Sequence, residues 1–258
     1  MPSVKKFLLV KQQRLTNDVF QMDLQAATPL VGYLPGRFVM VAIPNGLQQL
    51  RRPLAIAAVD EAAGKLSLIY RVVGQGTAQL AALTTGEQLS ILGALGNGFA
   101  TQKLVSGDRV LLVGGGTGLP PLMYLARVLA QKGCSVTTMV GFRTQTQIFG
   151  TQVFAAAGKL QLATDDGSAG IQGNVGTLLA AFNATDCQQV FACGPLGLLK
   201  AVQQRFAKQT MPVELSLESR MGCGMGACAG CMVSVGGGTL NQHICQEGPI
   251  FSAAEVQL

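Results

Sequence analysis

The stretch from Glu218 to Ile250 gathers the residue types best suited to chemistry. It begins Glu218-Ser219-Arg220-Met221-Gly222-Cys223-Gly224-Met225-Gly226-Ala227-Cys228-Ala229-Gly230-Cys231, and Cys245 follows after thirteen further residues. Four of the seven cysteines therefore share one short window, the first three spaced C-x4-C-x2-C. Thiolates at that spacing, with a remote fourth, suit a [2Fe–2S] cluster. Gly222, Gly224, Gly226 and Gly230 let the backbone curl past a compact inorganic core and turn its amides toward sulfur. A structural zinc site also takes four thiolates, but usually as two C-x2-C knuckles, and only one is present. A Rieske centre needs two histidines, whereas His243 is the only one here. The odd cysteine count argues against a disulfide framework. Cys223, Cys228, Cys231 and Cys245 are thus the candidate metal ligands, with zinc as the alternative metal. His243 reads as a solvated neighbour or a hydrogen-bond donor to sulfur.

Two stretches in the first half could hold a flavin diphosphate. Arg52-Pro53-Leu54-Ala55 puts a guanidinium just ahead of a strand, where it can grip a diphosphate bidentately. The pair Arg51 and Arg52 leaves open which of them does so. Ile69-Tyr70-Arg71 then leads through Gly74 and Gly76 into a helix, with Thr77 expected as its N-cap and Gly76 leaving amides open to a phosphate. Tyr70 offers a flat face for an isoalloxazine or adenine ring. Each stretch alone reads equally as an ordinary turn; spaced by one hairpin, they favour a flavin site together.

The second half carries Gly114-Gly115-Gly116-Thr117-Gly118 between a strand and a helix, where a parallel sheet binds a nucleotide pyrophosphate. It does not meet the strict G-x-G-x-x-G fingerprint and has no Walker lysine, so a tight turn is the bland alternative. Ala192-Cys193-Gly194-Pro195 forms a second strand-to-helix turn, where Cys193, a candidate catalytic thiol, could lie beside a nicotinamide or flavin edge. Asp165-Asp166-Gly167-Ser168 reads as an Asx turn on the same rim.

These residues need elements to position them. Short strands at Val4–Arg14, Val19–Leu24, Arg37–Ile43, Leu54–Val59, Lys65–Val73 and Gln88–Leu92, punctuated by Gly, Pro and Asn-Gly, predict a small antiparallel barrel with one helix over 77–83. From Asp108 the pattern alternates. Strands at Arg109–Val113, Ser135–Gly141, Leu160–Ala163, Gln189–Ala192 and Val213–Leu217 are separated by helices at 119–131, 147–156, 176–182 and 195–208, which predicts a doubly wound parallel sheet. The expected fold is therefore α/β plus all-β: a flavin barrel over 1–101, a nucleotide-binding α/β domain over 102–217 and a small iron–sulfur module over 218–258.

Composition sets outer bounds. The 258 residues are 48% hydrophobic and 12% charged with 33 glycines, which excludes disorder and suits a strand-rich enzyme with tight turns. The formal charge is +6, but no Lys/Arg run or aromatic-interleaved basic stripe supports nucleic-acid binding. Phe7 to Val10 is too short for a signal h-region, and Val110 to Ala126 is broken by glycines and prolines, so no export or membrane span is expected. Seven cysteines without export point to a reducing cytoplasm. Cys134 and Cys187 read as buried small hydrophobes.

In this order, the pieces resemble the ferredoxin–NADP reductase superfamily. With the C-terminal cysteines, the resemblance narrows to the electron transfer subunits of NAD-dependent (class 1B) dihydroorotate dehydrogenases and covers essentially the whole chain. It rests on Arg52-Pro53-Leu54, Tyr70-Arg71-Val72, Gly76-Thr77, Leu95-Gly96-Asn97-Gly98-Phe99, Gly114 to Gly118, Thr164 to Gly167, Cys193-Gly194-Pro195, Cys223 to Cys231, and Cys245 with Gly248-Pro249-Ile250-Phe251. The resemblance implies FAD held by residues 52–55, 69–71 and 76–77, a [2Fe–2S] cluster on the four cysteines, and NAD on the glycine-rich turn. It also implies a partner, an FMN-containing catalytic subunit, in a heterotetramer of pyrimidine biosynthesis. Electrons would pass from dihydroorotate to that FMN, then to the cluster, to FAD and to NAD+. Ala55 departs from the pattern, which usually has Ser or Thr there, and one hydrogen bond to the flavin, about 1 kcal/mol, is missing. Sister subunits of ferredoxin, sulfide or hydrogenase systems share this build, and Arg143 leaves NADP open as an alternative to NAD.

Overall fold

A computed structural model describes residues 3–44 and 49–258, so the Asn45-Gly46 turn expected after the third strand lies outside the described residues. The barrel is built from β1 (Ser3–Arg14), β2 (Val19–Ala26), β3 (Phe38–Val41), β4 (Arg52–Asp60), β5 (Lys65–Arg71) and β6 (Gln88–Leu95), with helix α1 (Gln75–Ala81) between the last two. The strands close in the order β1-β2-β5-β4-β3-β6, every pair antiparallel. Alternation decides which side chains fill it. In β2, Val19, Met22, Leu24 and Ala26 are buried while most of their neighbours stay half-exposed. Closure leaves no unpaired strand edge among these six.

The second part alternates β7 (Arg109–Gly115), α2 (Leu119–Gln131), β8 (Ser135–Phe142), α3 (Thr151–Ala157), β9 (Gly158–Thr164), β10 (Ile171–Gln172), α4 (Val175–Ala180), β11 (Gln189–Cys193), α5 (Leu196–Phe206) and β12 (Val213–Ser216). The sheet order is β10-β9-β8-β7-β11-β12, all parallel. β11 is buried at every position and β7 at all but Arg109, as expected of central strands covered by helices on both faces. The helix expected over 147–156 is shorter. A 3₁₀ turn at Gln145–Gln147 is separated from α3 by Gly150, whose φ of 71° breaks the helical run.

The last segment does not stand apart. After the hairpin β13 (Met232–Val235) and β14 (Leu240–His243), the chain returns as β15 (Ile250–Ser252), which pairs antiparallel with β12 and becomes the seventh strand of the nucleotide sheet. One apolar core joins Phe38, Met40, Leu92 and Leu95 from the barrel wall, Val113, Ala192 and Leu215 from the sheet, and Cys231, Ile244, Cys245 and Phe251 from the last segment.

Asn97, just beyond β6, fastens this junction. Its Nδ2 donates to the carbonyls of Glu247 and Ile250, both at 2.8 Å, and its Oδ1 accepts from the Ile250 amide at 2.9 Å. Its own backbone N–H donates to Gly248 O. Asn97→Ala removes three side-chain bonds and should lower unfolding free energy by about 1–3 kcal/mol, read as a drop in the denaturant midpoint. Asn97→Asp should be worse, because it turns a carboxylate oxygen toward two carbonyls. A wild-type midpoint in both variants would show that the junction does not depend on this side chain.

Candidate flavin, nucleotide and iron–sulfur sites

Between barrel and sheet lies a groove of about 660 Å³. Arg52 to Ala55, Ile69 to Arg71 and Thr77 line it from the barrel, Thr117 and Cys193 from the sheet, and Glu218 to Met221 from the segment leading into the cysteines. The two arginines divide clearly. Arg51 spends its guanidinium on the barrel, donating to Ser90 O at 2.7 Å, Ser90 Oγ at 3.0 Å and Met40 O at 3.3 Å. Arg52 instead lies over Gly76, where a Cβ would come 2.5 Å from its guanidinium. A residue larger than glycine at 76 would displace the cation from the head of α1. Gly76 itself sits behind Arg52 rather than on the groove wall.

One expectation is corrected here. Thr77 is not the N-cap: α1 starts at Gln75 behind Gly74, and Thr77 sits one turn inside. Its hydroxyl reaches back to accept from the amides of Val73 at 2.9 Å and Gly74 at 3.2 Å, which fixes the chain where it enters the helix. Tyr70 lines the groove from the barrel side, although most of its surface is covered. It is buried in the barrel, stacked on Phe20 at a centroid distance of 6.2 Å, and its hydroxyl accepts from Gln12 Nε2 at 3.1 Å. Burial pushes its phenol up to about 12.

A second groove of about 520 Å³ opens at the carboxyl ends of the parallel strands. The glycine-rich turn is shared out between functions. Gly115 and Gly116 face this groove, with Pro195, Arg143 and Asp165. Thr117 faces the flavin-type groove instead, while Gly114 and Gly118 are packing positions. A Cβ on Gly118 would overlap the Cys193 carbonyl, so glycine lets the head of α2 press against the end of β11. Gly194 packs on the Gly115 backbone. Asp166 forms the expected Asx turn, its Oδ1 accepting from the Ser168 amide at 3.0 Å and from its hydroxyl at 2.6 Å. Arg71 lines both grooves and is held by Asp18 at 3.0 Å.

Cys193 is almost fully buried, and that burial pushes its thiol up to about 12, with the nearby Glu218 carboxylate adding to it. It is a neutral thiol at physiological pH, suited to shaping the groove rather than to nucleophilic attack. The sequence did not single out Glu218, which also lines this groove. Its Oε1 accepts from the Thr117 hydroxyl at 3.4 Å. Glu218 is an exposed residue whose carboxyl lies along the concave groove wall. Desolvation there raises its pKa, against the opposing pull of Thr117 and Arg71.

Around the cysteines, backbone amides turn toward sulfur. Met225 N and Ala227 N donate to Cys223 Sγ, each at 3.3 Å, and Gly226 N donates to Cys245 Sγ at 3.1 Å. The Met225 amide, foremost, holds the Cys223 thiol well below its ordinary value. Burial, followed by the neighbouring Cys231, pushes Cys245 up. Among the described residues no three or more His, Cys, Asp or Glu form a group that could hold a single metal ion. A [2Fe–2S] cluster divides its four thiolates between two irons, and four thiols with amides aimed at sulfur fit that donor set. His243 faces Glu247, with Nδ1 to Oε2 at 3.4 Å, rather than a sulfur. Cys134 and Cys187 are buried, as expected.

Residues 6–99 match the family model described as an oxidoreductase FAD-binding domain, and residues 218–257 match the iron–sulfur cluster binding domain of dihydroorotate dehydrogenase B. The chain is 39% identical over 256 residues to a Bacillus caldolyticus protein named dihydroorotate dehydrogenase B (NAD(+)), electron transfer subunit, covering 98% of each. It is 42% identical to the Enterococcus faecalis protein of the same name, covering 97% of each. Among solved structures it is similar to an NADH-dependent reduced ferredoxin–NADP oxidoreductase, with a TM-score of 0.85, 28% identity and coverage of 97% of this chain and 89% of that one. The ferredoxin reductase of carbazole 1,9a-dioxygenase shares the fold, with a TM-score of 0.72 and 20% identity over 83% of this chain and 69% of that one.

Two expected outcomes test these placements. Arg52→Ala should lose about 1.5–3 kcal/mol of FAD affinity with an unaltered iron–sulfur spectrum, whereas Arg51→Ala should lower the unfolding midpoint and keep FAD. Flavin content after gel filtration and a denaturant titration separate the two, and the reverse pattern would exchange their roles. Cys228→Ser should lose most of the iron, measured per chain; retention near two irons would remove Cys228 from the ligand set.

Proposed function

The chain belongs to the family of electron transfer subunits of NAD(+)-dependent dihydroorotate dehydrogenase B, and from that premise we propose that it carries electrons from a dihydroorotate-oxidising partner to NAD+ in pyrimidine biosynthesis. The observation that carries the reading is a short connection. Glu218 to Met221 form part of the flavin-type groove wall, and Cys223 follows at once, so one uninterrupted backbone segment links groove and cysteines. FAD supplies the exchange between the single electrons that an iron–sulfur cluster passes and the hydride that NAD accepts.

The residues divide the work. Arg52 holds the FAD diphosphate at the head of α1, and Ile69 to Arg71 with Leu54 and Ala55 form the wall along the flavin. Cys223, Cys228, Cys231 and Cys245 hold the cluster, with the amides of residues 225–227 stabilising sulfur charge. Gly115, Gly116 and Pro195 receive the dinucleotide at the carboxyl ends of β7 and β11, next to the flavin groove across Arg71. We divide the chain at about 101 and 218 into flavin, nucleotide and cluster parts. A catalytic subunit carrying FMN oxidises dihydroorotate, in a complex of two copies of each chain. All seven cysteines are free, which suits a reducing cytoplasm, and no helix among the described residues is long and apolar enough to cross a membrane. The NADH-dependent reduced ferredoxin–NADP oxidoreductase offers a sister reading, but its 28% identity falls well below the 39–42% of the dihydroorotate dehydrogenase relatives.

The isolated holo-chain should reduce an artificial acceptor with NADH, while dihydroorotate leaves its flavin spectrum unbleached. Adding the catalytic subunit should switch on dihydroorotate-dependent NADH formation. Cys245→Ser should abolish that coupling and spare much of the NADH-to-acceptor activity. Bleaching of the isolated chain by dihydroorotate would contradict the division of labour, and full coupling in Cys245→Ser would contradict the electron path.

A further inference from the structure

Electrons arriving one at a time from an iron–sulfur cluster bring no protons, but the hydride that leaves for NAD+ carries one. Resting on the reading above, the flavin half-reactions are FAD + 2 e− + H+ → FADH− and FADH− + NAD+ → FAD + NADH. One proton must therefore enter the flavin groove for every NADH formed. We propose that Glu218 is the residue that delivers it.

The argument begins by elimination. The titratable and charged side chains lining the groove are Arg51, Arg52, Arg71, Arg220, Tyr70, Cys193 and Glu218. Arginine does not release its proton in proteins. The Tyr70 phenol and the Cys193 thiol are both pushed up to about 12 by burial, so neither is an effective donor near neutrality. His243, the chain's single histidine, faces Glu247 in the cysteine segment and is not part of the groove wall. Glu218 is the only carboxyl in the lining.

Its position suits the task. It stands where the nucleotide sheet hands over to the cysteine segment, two residues past β12 and five before Cys223. The Thr117 hydroxyl, at the head of α2 and also on the groove wall, donates to its Oε1 and fixes one oxygen. Glu218 remains reachable by water, so it can take up a new proton after each delivery. Desolvation raises its pKa, the direction that favours a carboxyl acting as an acid. The facing charges are Arg71, which opposes that shift, and the Cys193 thiol, which stays neutral.

Direction of flow provides the test. Reducing the flavin with NADH brings hydride and needs no separate proton; reducing it with dihydroorotate through the partner subunit does. In the holo-complex, Glu218→Gln should bind FAD at wild-type stoichiometry. Measured by rapid mixing, dihydroorotate-driven flavin reduction should slow by about 10²-fold and lose its pH dependence. The ratio of that rate to the NADH-driven rate should fall at least about tenfold, with Glu218→Asp recovering part of the loss. Independently of turnover, the reduced-minus-oxidised infrared spectrum should contain a protonated-carboxyl C=O band that is absent from Glu218→Gln. Equal slowing of both rates would make Glu218 a positioning residue only, and an unchanged ratio with no infrared difference would place proton entry elsewhere. Either result with FAD bound overturns the proton role alone, whereas a wild-type chain that binds no FAD overturns the functional reading beneath it.

Discussion

The Asn97 side chain is the point on which the three parts of the molecule converge. An asparagine amide offers both donors and an acceptor in one plane, and here it answers two carbonyls and one amide of the segment that follows Cys245. That segment then runs directly into β15, at the edge of the nucleotide sheet. The barrel rim, the cysteine loop and the sheet therefore meet at this side chain. Leu217 N donating to Pro249 O, and Ala100 N donating to Glu214 Oε2 at 3.0 Å, support the same seam.

The flavin-type groove exists because of that seam. Its walls come from the barrel, the sheet and the approach to the cysteines, and no part builds it alone. Within the barrel, adjacent arginines take unequal roles. Arg51 points into the barrel wall and is consumed by Ser90, leaving Arg52 directed at the head of α1. Arg71, shared by both grooves, makes them neighbours rather than separate pockets.

What could be read from the sequence was what local spacing encodes. The C-x4-C-x2-C run, the alternation of β2 and the glycine-rich turn after β7 each express their structure within a dozen residues. Thr77 was misplaced as an N-cap because threonine favours that position; it stands third in the helix instead and reaches back to the amides ahead of it. That the Tyr70 ring stacks on Phe20 could not be read locally, because the two residues lie on different strands. Asn97, Glu218 and the split of Arg51 from Arg52 depend on partners far along the chain. Thr117 and Glu218 are separated by 101 residues, and no periodicity announces such a pair. Only the sequence-level likeness to a family pointed at residues 95–99 in advance, and it gave no reason for them.

The place of β15 affects how the protein is made. The barrel and six strands of the nucleotide sheet are complete in the chain by residue 216, but the seventh strand is encoded only at 250–252, beyond every cluster cysteine. Throughout synthesis of the cysteine segment, β12 presents an open edge with unsatisfied backbone groups, the kind of surface on which nascent chains pair wrongly with one another. The sheet therefore gains its border only when the cysteine-bearing segment folds back over it. Folding of the cysteine-bearing segment and protection of the sheet edge are thus parts of one event, because the strand that covers β12 is reached only through that segment.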